Sequence, residues 1–260
     1  MTVRNLQASQ IEQFQNAGFL VMPGVLSADL CAQVRHAIAT DLASRQGPAE
    51  FEADVGYPGA PTDRDGAGGD TPRRLLQAYA RNDSLKSIAQ HPALAAWLKV
   101  LLDSTQPMLS QSHHNCVMTK HPGYSSATLW HQDIRYWSFA RPELISAWFA
   151  LGPEDETNGA LQVIPASHKH SIDRSRLDSA LFLRPELAAN RSMIESAQVV
   201  NLNPGDLLLF HCRLFHAAGQ NRSQRVKLSP VFTYHAEDNY PIPGTRSEQF
   251  PSIGLYSGAE

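Results

Sequence analysis

Leu129-Trp130-His131-Gln132-Asp133 sets an imidazole and a carboxylate two residues apart, and a second imidazole, His216, follows far downstream. Two imidazoles and one carboxylate hold one face of an octahedral ferrous ion and leave the opposite face open. Arg225 comes nine residues after His216. A guanidinium there suits bidentate capture of a carboxylate, such as the far end of a dicarboxylic acid whose other end chelates the metal.

The pair has rivals within the chain. His235-Ala236-Glu237 is a second histidine–carboxylate pair of the same shape, and His211 precedes His216 by five residues at a strand end. His211 reads better as a satisfied core histidine, so His216 is preferred as the third ligand. The context then decides. A strand carries the pair, a late His ends another strand, and an Arg opens the next apolar run. Within a strand, residues i and i+2 share a face, so His131 and Asp133 are expected to point inward together, with Arg135 continuing that line. These are the parts of an iron- and 2-oxoglutarate-dependent oxygenase, with O2 as the second co-substrate.

Elements must position those parts. Residues 9–17 have the periodicity of a short helix, stopped by Gly18, and 19–22 read as a buried strand. Ser27 is a plausible N-cap for a longer helix to about residue 43. Residues 46–71 are rich in Gly, Pro, Asp and Ala and read as a long loop, either a lid or an insertion. Residues 92–102 are again helical. From about 107 short apolar runs alternate with turn signals, at 108–119, 130–137, 144–151, 160–165, 197–202, 206–211 and 225–234. Asn158-Gly159 and Asn203-Pro204-Gly205-Asp206 are tight-turn signals. Residues 168–195 read as an inserted loop. The expected fold is mainly β with flanking helices: a double-stranded β-helix, or cupin-like jelly roll. A single domain covers 1–260, with a helical flank over 1–105, a core over 106–235 and a tail over 236–260.

Composition narrows the classes. The 260 residues carry a net charge of −3, which gives no overall basic field and argues against nucleic acid as a partner. Three widely spaced cysteines suggest a reducing compartment, and no leader-like or membrane-spanning apolar run is present, so the expectation is a cytoplasmic protein. Nothing in the sequence bears on oligomeric state.

These residues resemble the phytanoyl-CoA dioxygenase family of Fe(II)/2-oxoglutarate oxygenases. The likeness runs from Phe14-x-x-x-Gly18-Phe19-x-Val21 through Trp130-His131-Gln132-Asp133. It continues over Asn158-Gly159-Ala160-Leu161-Gln162-Val163-Ile164-Pro165-Ala166-Ser167-His168-Lys169 to Asn221-x-Ser223-x-Arg225. The resemblance implies iron on His131, Asp133 and His216, the far carboxylate of 2-oxoglutarate on Arg225, and Trp148 against the co-substrate. The family's usual Gly before Ser-His is Ala166 here. Its frequent Ser two residues after the distal His is Ala218, so another donor must replace that hydroxyl. Halogenating relatives lack the carboxylate, and Asp133 therefore favours hydroxylation.

Lys120 either helps bind the co-substrate or sits at a strand end. Candidate substrate contacts are Arg135, His113, His114 and Asn115; Arg135 suits a carboxylated small molecule, and a regular strand would turn His113 and His114 to opposite faces. Tyr136 and Trp137 read as packing. The alternatives are a cupin-like isomerase or hydrolase that ignores 2-oxoglutarate, or a non-catalytic binding protein of the same fold.

Overall fold

A computed structural model describes residues 5–256; the first and last four residues of the expected flank and tail lie outside the described residues. Two antiparallel sheets face each other. The larger runs β1 (Phe19–Met22), β10 (Leu207–His211), β7 (Leu144–Phe149), β12 (Lys227–Ala236), β5 (Cys116–Lys120), β3 (Pro72–Leu76) and β2 (Ala49–Phe51). β4 (Pro107–Ser110) and β13 (Ile253–Gly254) extend it beside β12. The smaller sheet runs β6 (Thr128–His131), β11 (His216–Ala218), β8 (Leu161–Val163) and β9 (Gln198–Val199). This is the jelly-roll architecture expected from the turn spacing.

Helices cover the outer face of the larger sheet. α1 (Ala8–Ala17) stops at Gly18, whose φ of 83° is the left-handed region that favours glycine. Ser27 caps α2 (Ala28–Ala43), its Oγ accepting from Leu30 N at 3.2 Å. α5 (Pro92–Leu101) begins with Pro, the residue suited to a first turn, and buries Leu94, Trp97 and Leu98. Short helices α3 (Ala78–Arg81) and α4 (Asp83–Ala89) fill the gap between β3 and α5.

β12 is buried along all ten residues because β7, β5 and β4 pair with it and both faces are covered. Phe232 on it is fully buried and meets Phe149 edge-to-face at 6.3 Å. Phe232→Ala is expected to lower unfolding stability by about 3–5 kcal/mol, read as a shifted denaturant midpoint at unchanged slope.

Four expected stretches differ. The run 108–119 is two strands, β4 and β5, broken over 111–115. His113, His114 and Asn115 therefore lie in a bend, with His114 at φ 33°, and the opposite-face argument does not apply to them. The run 130–137 is likewise short. β6 ends at His131, and Asp133–Tyr136 form a turn of 3-10 helix. Asp133 thus reaches inward from a turn rather than along a strand face. Within 46–71 the chain forms β2 and a 3-10 turn at Glu52–Asp54, and within 168–195 it forms α6 (Ala188–Glu195).

Candidate active site

His131 and His216 are direct register partners across β6 and β11, which sets their rings 4.3 Å apart at the mouth between the sheets. The Nδ1 of His131 faces Leu129 O at 2.8 Å, and that of His216 faces Leu214 O at 3.0 Å. A carbonyl only accepts, so both Nδ1 atoms carry the proton and both Nε2 lone pairs are free. Those Nε2 atoms stand 3.6 Å and 3.4 Å from Asp133 Oδ1. Neither gap is a good hydrogen bond, whereas adjacent ligands of an octahedral ion with bonds of about 2.1 Å lie about 3 Å apart. Among the described residues this is the cluster of ligating side chains whose atoms lie within 4.8 Å of one another. The donor set and the free lone pairs fit iron.

The protonation states fit as well. Burial opposes ionisation of Asp133, but His114 and His216 beside it hold its carboxyl well below the usual carboxylate range. Burial, and then neighbouring His216, pushes His131 well below its ordinary value. Burial would lower His216 too, but the Asp133 charge raises it, so iron would compete there with a proton.

Asp133 is itself held. His114 Nε2 lies 2.8 Å from its Oδ1, and Ser146 Oγ on β7 donates to Oδ2 at 3.2 Å. Both fix the carboxylate for a metal. His114→Ala is expected to weaken iron binding by about 10- to 100-fold in an anaerobic Fe(II) titration, and His114→Gln, which keeps an N–H donor, to recover most of it.

Two cavities meet here. The inner one runs between the sheets from the three ligands past Met118, Thr128, Trp148 and Ala218 to Lys120. Lys120 is buried; its Nζ donates to Ser126 O at 2.9 Å and Gly219 O at 2.6 Å, which leaves one of three N–H groups free. Burial first, then Lys227 and Arg73, pushes its pKa down to about 7. Trp148 walls the cavity, its Nε1 donating to Glu154 Oε1 and Oε2 at 3.2 Å and 3.1 Å. The outer cavity, of roughly 340 Å³, opens between residues 48–57 and the tail at 246–250. His114 and Arg74 line both.

Arg225 needs correcting. It lies in the bend before β12, exposed, beside Arg35 and Pro153 in a cleft on the far side, and it does not line the inner cavity. The buried cation of that strand is Lys227, two residues on, but its Nζ is 3.0 Å from Glu154 Oε2. Glu154 also accepts from Ser229 Oγ at 2.6 Å. Arg135 lines neither cavity; its guanidinium stacks 4.0 Å from the Phe182 ring and 4.8 Å from that of Tyr136. His113 and Asn115 line the outer cavity but are spent on structure: His113 Nε2 lies 2.9 Å from Ser247 Oγ, and Asn115 Oδ1 accepts from Tyr79 N at 2.7 Å. His211 accepts from Arg213 N at 3.0 Å, facing His168 rather than the ligands. His235 faces Ser252 Oγ at 2.8 Å and joins no ligand cluster.

The family model described as "Phytanoyl-CoA dioxygenase (PhyH)" matches residues 14–229. This chain belongs to the phytanoyl-CoA dioxygenase family. It is 23% identical to a "Probable alpha-ketoglutarate-dependent hypophosphite dioxygenase" of Stutzerimonas stutzeri, over 66% of this chain and 60% of that protein. It is 24% identical to an "Ectoine dioxygenase" of Halomonas elongata, over 90% of this chain and 71% of that one. The chain thus spans under two thirds of the first relative's length. Among solved structures, EctD from S. alaskensis with bound Fe superposes with a TM-score of 0.76 at 20% identity, covering 93% of this chain and 81% of the other. The epimerase SnoN, in complex with Fe3+, alpha ketoglutarate and nogalamycin RO, gives 0.73 at 21% identity, covering 97% and 91%. Likeness at that identity establishes the shared fold of this phytanoyl-CoA dioxygenase family member.

Arg74, Thr128 and Ser146 are site residues that sequence reasoning missed, and Arg74 is the charged one. It sits in the stretch Pro72-Arg73-Arg74, which carries no motif, and β3 brings it to the cavity only by pairing Arg74 with Met118.

Proposed function

We propose that this chain is an Fe(II)/2-oxoglutarate-dependent dioxygenase that hydroxylates a small polar or carboxylated metabolite, converting 2-oxoglutarate and O2 to succinate and CO2. One observation carries the reading. Two free Nε2 atoms and an ionised carboxylate converge at one end of a cavity whose other end is a buried lysine with a spare N–H. His131, Asp133 and His216 would hold the iron. The bound iron supplies O2 activation coupled to decarboxylation of 2-oxoglutarate.

The chain's residues do the rest. Lys120 receives the far carboxylate of the co-substrate in place of Arg225. Thr128 supplies the hydroxyl missing at Ala218: the two are register partners across β6 and β11, and both line the cavity. Thr128 Oγ1 accepts from Arg73 Nη2 at 3.1 Å, so its own O–H is free to donate inward. Trp148, anchored on Glu154, keeps water from that end. The substrate enters by the outer cavity, past His114. The three cysteines are free and buried, which supports a reducing setting, and no described helix is long and apolar enough to cross a membrane.

The test is anaerobic addition of Fe(II) and 2-oxoglutarate to metal-free protein. The expected result is a weak visible charge-transfer band, followed by succinate formation once O2 is admitted. Iron binding without the band would leave a metalloenzyme that does not use 2-oxoglutarate.

A further inference from the structure

One arginine of the outer cavity has an N–H that the fold leaves without a hydrogen bond. Arg74 Nε is buried and has no hydrogen-bond partner. Its nearest carboxylate is Glu50, with Oε1 at 3.5 Å, but that oxygen already accepts from Arg73 Nη1 at 3.1 Å. Arg73 points the rest of its guanidinium away, to Ser126 Oγ and Thr128 Oγ1. Besides Arg73, the ionisable groups that act on Arg74 are Glu50, Cys116, Tyr136 and Tyr57, and these four line the outer cavity. Two arginines, Arg74 and Arg246, face that cavity against the single carboxylate of Glu50. A cationic or neutral guest would leave the buried Arg74 Nε without a partner, which is costly for a charged donor.

We propose that Arg74 is the anchor for an anionic group, a carboxylate or its equivalent, on the organic substrate. Planar N–H donors match a carboxylate in shape and charge. Arg74 also lines the inner cavity, along with His114, so a group held there stands where the two cavities meet. The phenols of Tyr57 and Tyr136, joined by a 3.3 Å hydrogen bond, line the same cavity. Specificity then has two parts: a fixed charge at the inner end, and Gln249 and Phe250 of the tail around the variable remainder.

This rests on the dioxygenase reading, and the experiment separates the two. The Fe(II)–2-oxoglutarate protein is prepared without O2 and its visible band recorded. It is then titrated with a set of small monocarboxylates (phenylacetate, benzoate, octanoate) and their primary amides. Carboxylates are expected to shift the band and to bind about tenfold or more tighter than their amides. Arg74→Gln should remove that preference while leaving the starting band intact, and Arg74→Lys should restore part of it. Three results would overturn the proposal: no carboxylate shifts the band, amides bind as well as acids, or Arg74→Gln loses the starting band, which would make Arg74 a co-substrate residue. Absence of any band in the unmodified protein would instead sink the dioxygenase reading, and the anchor with it.

Discussion

Asp133→Ala is expected to abolish the anaerobic Fe(II)–2-oxoglutarate band and to cut succinate formation by more than about 100-fold, beyond the loss typical of an outer partner. The carboxylate is the one anionic ligand, and its Oδ1 is the point on which both imidazoles converge. Without it, two neutral imidazoles face a divalent ion alone. Asp133→Glu keeps the charge but lengthens the arm, which displaces the oxygen from His114 and Ser146 as well as from the metal position. That variant should bind iron weakly and turn over poorly, and comparing the two by Fe(II) titration separates charge from placement. Near-normal turnover in Asp133→Ala would mean that the reaction does not run at this triad.

The second large effect belongs to Lys120. Lys120→Met should weaken 2-oxoglutarate binding by about 10- to 100-fold while leaving iron affinity nearly unchanged, because Lys120 stands at the opposite end of the cavity. A pH signature accompanies it. Burial holds the Lys120 pKa down near 7, so the ammonium exists below that value and is lost above it. Binding of an anion needs the charged form, and affinity must fall as pH rises. For a free-protein pKa of about 7, binding at pH 8 should be about eightfold weaker than at pH 6.5. Lys120→Arg stays charged and should flatten that slope. A flat profile in the unmodified protein would remove Lys120 from the co-substrate's far end.

The candidate metal triad was legible from the context of its residues, and β6 and β11 then pair His131 with His216 directly. The strand-face geometry does not hold for the His-x-Asp pair: β6 ends two residues before Asp133, and a 3-10 turn delivers the carboxylate. Spacing tolerated that difference, since either route brings the carboxylate inward. Arg225 shows the opposite case. Its place after the distal His fitted a clamp, but β12 starts two residues later, so the side chain that enters the sheet is Lys227. Glu154, which takes up Lys227, Ser229 and Trp148, comes from a loop that no periodicity could connect to β12. Arg74 was invisible for the same reason, since its role depends on a long-range strand pairing. The N-terminal helices and strand, by contrast, were written locally in Gly18, Ser27 and Pro92.

The wall of the outer cavity has a consequence for how such an enzyme can diversify. The family match ends at residue 229, whereas Arg246, Gln249 and Phe250 lie beyond it. That tail is pinned to the core along its length, by the β13–β4 pairing, by Ser247 against His113 and Ser138, and by Phe250 N donating to Ser112 Oγ. The anchor at Arg74 and the reactive centre therefore lie in the matched core, while part of the wall around the rest of the guest lies in the tail. The reactive centre can stay fixed while the appended wall is rewritten, and kinship in the core need not extend to a shared guest.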